Sequence, residues 1–208
     1  MTSLIPFAQA VVGTYEDTSV PAFQDEAKLV HVFLLKVNGV LTVLFEGTLD
    51  WQEWVFSDLL ALEIPLIRHS KLGPVHAGFA RDVLSVIDDI VQAVGTQPYY
   101  LCGHSKGASE AILCAALMKD LGKPPLGVFA FEPAKVGSAI LRSYLADVPI
   151  IATSTYNANG PDVVTCVPPG PTWCHPVAPI AIKVSDSLSI IDKHKIPAVL
   201  AALEDNND

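Results

Sequence analysis

The chain has 208 residues, of which 50% are hydrophobic and 17% are charged. This length suits a single domain with a buried core, and the composition excludes an intrinsically disordered protein. The formal net charge of -9 disfavours nucleic acid as a partner and limits contact with a lipid interface to a transient one. No apolar run has the length of a membrane span.

The N-terminus and the cysteines bear on the compartment in which the protein works. The first 20 residues lack a basic segment followed by a long apolar stretch, so we expect a cytoplasmic protein or one released without a cleaved N-terminal signal. Cys102 and Cys114 lie in apolar segments typical of buried thiols. Cys166 and Cys174 bracket a proline-rich loop and would form a disulfide only in an oxidising compartment. Their spacing does not match a zinc site.

The first half of the chain begins with a predicted helix over residues 4–14. Two strands, 29–37 and 40–47, follow, and the turn residues Asn38-Gly39 between them predict a hairpin. Residues 49–61 have the pattern of a short amphipathic helix. The next segment predicts a long helix that ends at Gly95. Its apolar face consists of Phe79, Val83, Val86, Ile87, Ile90 and Val94.

The second half alternates strands with helices. The predicted elements are a strand over 99–102, a helix to about residue 121, a strand over 126–133, a helix near 137–146, a strand over 149–157 and a C-terminal helix after Pro197. This alternation indicates a single α/β domain, in which a mostly parallel central sheet has helices on both faces.

The segment Gly103-His104-Ser105-Lys106-Gly107 lies where the strand over 99–102 meets the following helix. A serine hydroxyl is a weak nucleophile that needs a nearby base and hydrogen-bond donors for the developing oxyanion. A sharp strand-to-helix turn supplies this arrangement, and its tight backbone contacts require small residues at the flanking positions. The segment therefore predicts that Ser105 is a nucleophile. The alternative is a glycine-rich turn with an incidental serine.

The partners of such a serine follow it in the chain, first an acid and then a histidine. Only His175 and His194 come after Ser105. The candidate acids are Glu132, Asp147, Asp162, Asp186 and Asp192. Asp162 follows a predicted strand in a loop rich in Asn, Gly and Pro, where a strand-end acid is expected. Glu132 at the end of the preceding strand is its main rival, whereas Asp147 precedes its strand and belongs to the opposite edge of the sheet.

A series of segments from about residue 40 to the C-terminus resembles, in order, the sequence blocks of the fungal-type class 3 lipase family, a group of α/β-hydrolases. The segments are VLFEGTLDWQEWVFSDL, VHAGF, GHSKGA, FEPAKVG, NANGPDVVTCVPP, CHPVAPIAI and IIDKHKI. In the family, the block similar to FEPAKVG reads Phe-Gly-x-Pro-Arg-Val-Gly. Many α/β-hydrolases share the block around the serine, but the whole series is far more specific.

The resemblance implies that Ser105 is the nucleophile, Asp162 the acid and His194 the base. His175 falls in a block with a non-catalytic histidine. Thr48 would donate to the oxyanion through its backbone N–H and its hydroxyl, with the backbone N–H of Lys106 as the second donor. The helix over 49–61 corresponds to the family's lid, although a fixed helix is an equal alternative. The apolar side of this helix contains Trp51, Trp54, Val55 and Leu59.

Two charged residues depart from the family's pattern. Lys106 replaces the apolar residue that follows the nucleophile, and Glu46 replaces the arginine before the oxyanion block. Charge near the acyl entrance favours esters with short or medium acyl chains. We therefore expect a carboxylic ester hydrolase that acts on a small-molecule ester or lipid through an acyl-enzyme, without a metal or an organic cofactor. The alternatives are a phospholipase, thioesterase or acyltransferase on the same triad, and a catalytically silent binding protein. The oligomeric state stays open.

Overall fold

The computed structural model describes residues 3–15, 20–24, 30–47, 63–65 and 67–205. The described strands are β1 Phe23–Gln24, β2 His31–Val37, β3 Val40–Phe45, β4 Glu63–Pro65, β5 Pro74–His76, β6 Tyr99–His104, β7 Gly127–Phe131, β8 Ile150–Asn157, β9 Gly160–Pro161 and β10 Ile180–Lys183. The described α-helices are α1 Ile5–Thr14, α2 Ala77–Val94, α3 Lys106–Asp120, α4 Ala139–Tyr144 and α5 Ile196–Asp205. Short 3-10 turns cover Ile67–Leu72, Val164–Cys166 and Asp192–His194.

The main sheet has the strand order β1-β2-β3-β6-β7-β8-β10, with β9 paired to β8. Strands β3, β6, β7, β8 and β10 run parallel to one another. Only the outer pairs β1–β2, β2–β3 and β8–β9 are antiparallel. The prediction of a mostly parallel sheet with helices is confirmed, as is the hairpin between β2 and β3. Asn38 and Gly39 join these strands with φ values of 52° and 79°, as a tight hairpin turn requires.

Helices pack on both faces of the sheet and bury separate apolar clusters. The first cluster contains the apolar face of α2 and the small and aliphatic residues of α3. The second contains Phe7 of α1 and Val199 of α5, which pack with Leu44 and Phe129 of the sheet. The residues predicted for the apolar face of α2 are all buried. Asp82 is also buried on this helix although it is charged, and it pairs there with Lys106.

The structure adds five short strands that the sequence pattern did not predict, namely β1, β4, β5, β9 and β10. Residues Ile180–Lys183 form β10, which pairs parallel to β8 at the edge of the sheet. Only Ile182 of this strand is buried, so its four residues show no clear alternation. The helix predicted over 49–61 lies outside the described residues. Among the helices that are described, none combines the length and the apolar character needed to cross a membrane. All four cysteines are free thiols.

Candidate active site

Ser105 occupies the sharp turn between β6 and α3. Its φ of 56° and ψ of -123° are costly for a residue with a side chain and typify strained functional turns. The N–H of Ser105 donates to the carbonyl oxygen of Phe131 on β7 at 2.8 Å. A Cβ on Gly103 would overlap the backbone of Gly107, and a Cβ on Gly107 would overlap the carbonyl oxygen of Phe45. Both glycines are therefore needed for the turn to close.

Three predicted residues meet beyond the carboxyl ends of the parallel strands. Ser105 follows β6, Asp162 follows β9, and His194 lies in the 3-10 turn before α5. With its Nδ1 protonated, His194 donates to Asp162 Oδ2 at 2.6 Å. His194 Nε2 accepts from the Ser105 hydroxyl at 2.8 Å. The backbone N–H of Val164 donates to Asp162 Oδ1 at 3.0 Å. The structure thus brings together the serine, the acid and the histidine that the sequence singled out.

The three side chains are shielded from water. Ser105 and His194 are each 1% exposed, and Asp162 is 0% exposed. Burial by itself would raise the pKa of Asp162, but the hydrogen bond from His194 and the positive charge that this ring can carry hold the pKa below its ordinary value. The Asp162 carboxylate therefore stays ionised. It can orient the His194 ring and stabilise the imidazolium that forms when the ring accepts a proton.

His104 holds the backbone of the triad histidine. Burial is the main cause that lowers the pKa of His104 to about 3, and the nearby His194 ring is the second. The His104 ring is therefore neutral. Its Nε2 donates to the backbone carbonyl of His194 at 2.7 Å. Its Nδ1 is then left to accept from the Tyr15 hydroxyl at 2.9 Å. Burial also raises the pKa of Tyr15, so Tyr15 keeps the proton that this bond requires.

The sequence interpretation treated Lys106 as a charge near the acyl entrance, whereas the structure buries its ammonium in ion pairs between two helices. The side chain is 8% exposed, and its ammonium lies 2.8 Å from Asp82 Oδ2 on α2. The same ammonium pairs with Glu110 one turn further along α3. Glu46 pairs with His31 at 2.7 Å. Asp82 on α2 and Glu110 on α3 therefore hold the Lys106 ammonium between the two packed helices.

Replacement of Lys106 by methionine is expected to lower the free energy of unfolding by about 3–5 kcal/mol, because Asp82 and Glu110 lose the cation that they share in a buried site. Burial raises the pKa of Glu110 to about 8, so Glu110 is mostly protonated at pH 7 and most of the loss falls on Asp82. Urea denaturation at pH 7 measures the change.

Lys71→Met is the matched control. The Lys71 side chain is 73% exposed and lies 3.5 Å from Asp120, so this substitution should cost less than about 1 kcal/mol. Equal losses for the two variants would contradict a stabilising role of the buried cluster.

Several predicted site residues lie outside the described part of the chain. These are Thr48, predicted as the first oxyanion donor, and the predicted lid residues Trp51, Trp54, Val55 and Leu59. Lys106 is the first residue of α3, where backbone N–H groups point toward the N-terminal end of the helix and favour negative charge. The N–H of Lys106 therefore stays the second proposed donor.

The other candidate acids and the second histidine have different partners. Asp147, Asp186 and Asp192 contact Lys119, the N–H of Ala158 and Lys195, respectively. Burial lowers the pKa of His175, and its Nε2 donates to the Thr165 carbonyl at 2.8 Å. Glu132 lies next to Asp162, but the His194 Nδ1 bond goes to Asp162. Sequence reasoning treated Glu132 as a rival acid and did not foresee that both acids occupy the same site.

Within the described residues, one group of acid and imidazole side chains has the spacing of a metal site. It consists of Glu132, Asp162 and His194, whose ligand atoms lie within 4.8 Å of one another. Both Asp162 oxygens and both His194 ring nitrogens already make hydrogen bonds. Because these bonds lead directly to the Ser105 hydroxyl, the arrangement fits a proton relay better than a metal centre.

Comparison with known proteins places this geometry in context. Residues 42–171 match the model of the family described as lipase (class 3). The secreted mono- and diacylglycerol lipase A of Penicillium cyclopium is 28% identical over 115 residues, which are 52% of this chain and 37% of that protein. The counterpart from Penicillium camembertii matches equally. The matched part of this chain thus spans just over a third of these curated relatives.

Solved structures agree in fold. The triacylglyceride lipase of Rhizomucor miehei has a TM-score of 0.73 at 17% identity, with 88% of this chain and 79% of that chain covered. A mutant form of MDLA from Penicillium cyclopium has a TM-score of 0.68 at 20% identity, with 84% and 67% covered. At such identities the likeness concerns the fold alone. The family match, however, covers more than half of the sequence and contains both Ser105 and Asp162, and the chain therefore belongs to the class 3 lipase family.

Proposed function

We propose that the protein is a carboxylic ester hydrolase in which Ser105, His194 and Asp162 act as the catalytic triad. The observation that carries this proposal is the hydrogen-bonded series from Ser105 through His194 to Asp162, with lengths of 2.8 Å and 2.6 Å. The strained backbone at Ser105 and the membership of the class 3 lipase family support the same reaction. The three side chains supply a nucleophile, a base and an acid, and the proposed reaction uses no cofactor.

The reaction follows from the positions of the protons. His194 Nε2 takes the proton of Ser105 as the Oγ attacks the ester carbonyl carbon, and the carbonyl oxygen becomes an oxyanion. The backbone N–H of Lys106, together with Thr48, donates to this oxyanion. His194 then gives the proton to the departing alcohol, which leaves an acyl group on Ser105. A water molecule, deprotonated by His194, attacks this acyl-enzyme and releases the carboxylic acid.

We further propose short or medium acyl chains as the preferred substrates. Because Lys106 is buried in ion pairs, its charge no longer argues for this preference. The exposed aliphatic residues that neighbour Asp162 and His194 in the chain are few. In the described ranges they are Val163, Ile190 and Ile191, which are 37%, 45% and 36% exposed. The net charge of -9 also disfavours adsorption to an anionic lipid surface.

A series of p-nitrophenyl esters of increasing acyl length tests the substrate proposal. We expect the highest kcat/KM for short or medium chains, with little increase in rate when the substrate passes its solubility limit, because the exposed aliphatic residues next to the triad in the described part of the chain are few. A fluorophosphonate-inhibited sample is the control for turnover at Ser105. A several-fold rise at emulsion formation, or a preference for long-chain triglycerides, would contradict the proposed preference while leaving the triad assignment intact.

A further inference from the structure

Glu132 is a fully buried acid at an unusual backbone position. It follows directly after β7, its exposure is 0%, and its φ is 54°. A left-handed φ is unfavourable for a residue with a Cβ. In the family's block that resembles FEPAKVG, the second position is glycine, which adopts such a φ without strain. This chain therefore places a carboxyl group at a position where a residue without a side chain would fit the backbone better.

Threonines on the neighbouring strand β8 surround the Glu132 carboxyl group. The Thr153 hydroxyl donates to Oε1 at 2.9 Å. The backbone N–H of Thr155 donates to Oε2 at 2.7 Å, and the Thr155 hydroxyl lies 3.1 Å from the same oxygen. Thr153 and Thr155 are two residues apart on one strand and so face the same side of the sheet. The carboxyl group is therefore held in one orientation.

The Thr155 hydroxyl satisfies the Glu132 carboxyl group only in part. The Thr155 hydroxyl has a single proton and two oxygen neighbours, Glu132 Oε2 at 3.1 Å and the carbonyl oxygen of Lys193 at 3.0 Å. A carbonyl can only accept. The hydroxyl can donate fully to only one of the two oxygens, so the Glu132 carboxyl receives incomplete compensation for a buried negative charge.

The proximity of Asp162 indicates that Glu132 is a neutral acid. Both Asp162 oxygens accept, from His194 and from the backbone of Val164, so Asp162 is the ionised partner. A carboxylate oxygen of Glu132 lies within 4.8 Å of one of Asp162 in a site where both side chains are 0% exposed, and two carboxyl groups this close do not both ionise. Burial is the main cause that raises the pKa of Glu132 well above its ordinary value, and the negative charge of Asp162 is the second. Two adjacent carboxyl groups share one proton in the same way in other proteins.

We propose that Glu132 is a positioning residue of the triad, held as a neutral carboxylic acid that donates a hydrogen bond to Asp162. This inference rests on the proposed function of Ser105, His194 and Asp162. The bond fixes the Asp162 carboxylate against rotation, and its oxygen stays directed at His194 Nδ1. The neutral Glu132 leaves the net charge of the acid pair at minus one, so the imidazolium that forms during the reaction meets a single counter-charge.

In the described part of the chain, three titratable groups lie around the Glu132 carboxyl group. Asp162 is the direct partner, and His194 is the ring that Asp162 orients. His104 lies behind His194, with 5.0 Å between the ring centroids, and its ring is neutral. The Lys193 ammonium is directed elsewhere, toward the carbonyl of Gly160 at 2.6 Å. The protonation state of Glu132 is therefore coupled mainly to that of Asp162.

The first test reads the proton on Glu132 without any turnover, in the Ser105→Ala protein. Infrared spectra at pH 7 should show the carbonyl stretch of neutral carboxylic acid, and adding Glu132→Gln should remove the Glu132 part of this absorption. Glu110, with a pKa of about 8, is the other buried acid expected to absorb there, and Ser105→Ala with Glu110→Gln isolates the Glu132 band even if the Glu132 variant does not fold. Absence of the band in that protein would overturn the proposal.

The pH dependence of stability gives an independent measure with a defined sign. The native pKa of Glu132 lies above the ordinary value of 4.5, so the folded protein keeps a proton that the unfolded chain releases. Stability from this group is complete below about pH 4 and is lost as pH rises toward the native pKa, by about tenfold in the folding equilibrium constant per pH unit. Relative to the protein that also carries Glu132→Gln, Ser105→Ala should lose stability over this range. A constant difference would contradict the proposal.

The second test measures catalysis in the otherwise unchanged protein. Gln also donates to Asp162, so Glu132→Gln should lower kcat/KM by only about threefold, whereas Glu132→Ala should lower it by roughly 30-fold, mainly in kcat. Asp162→Asn should lower kcat by about 10⁴-fold. A Gln variant as inactive as Asp162→Asn would show that Glu132 acts as a carboxylate. Equal rates for the Gln and Ala variants would exclude a positioning role. Loss of the proposed function itself would appear as an inactive wild type with an unchanged infrared band.

Discussion

Replacement of Ser105 by alanine is expected to abolish covalent labelling by fluorophosphonates and to reduce ester turnover by roughly 10⁴- to 10⁶-fold. The substitution removes the Oγ that donates to His194 at 2.8 Å and that would carry the acyl group. The backbone bond from the Ser105 N–H to Phe131 does not involve the side chain, so the turn should stay closed. Labelling followed by intact-mass spectrometry, together with thermal melting, measures both effects.

Ser85→Ala is the matched control for the nucleophile. The Ser85 hydroxyl donates to a carbonyl within α2 at 2.7 Å, on a different helix from the one that begins at the triad turn. This variant should be labelled at the wild-type rate. If the Ser105 variant were labelled at that rate as well, another residue would be the nucleophile and the proposed mechanism would fail.

Replacement of His194 by alanine should reduce turnover by on the order of 10³- to 10⁶-fold. Without the imidazole, no group within hydrogen-bond reach among the described residues accepts the Ser105 proton, and Asp162 loses its donor at 2.6 Å. His194→Gln is the companion variant, because its amide can still donate to Asp162 and fill part of the space. Both variants should be inactive, and the Gln variant should melt at the higher temperature.

His175→Ala separates catalytic from structural loss. His175 donates to the Thr165 carbonyl, whereas the Ser105 hydroxyl is bonded to His194, so removal of His175 should cost about 1 kcal/mol of stability and leave most of the activity. If His175→Ala were instead the more damaging substitution at an unchanged melting temperature, the base would have to be reassigned to His175.

The secondary structure was predictable because local signals repeat along the chain. The turn residues Asn38 and Gly39 specify a tight hairpin through their φ values, and the apolar spacing from Phe79 to Val94 specifies one buried helical face. The two glycines around Ser105 likewise mark the turn, since only they permit its backbone contacts. The short edge strand β10 carries no such signal, because only one of its residues is buried.

The sequence by itself determined the order of elements, the strained turn at Ser105 and the chain order of acid and histidine, since each depends on neighbouring residues or on the known topology of the fold. Only the tertiary structure decided where the charged side chains lie. Lys106 pairs with Asp82 on another helix, and Glu132 lies beside Asp162 from another strand end. These partners are far apart in the chain, and the cost of burying a charge, which depends on three-dimensional proximity, selects them.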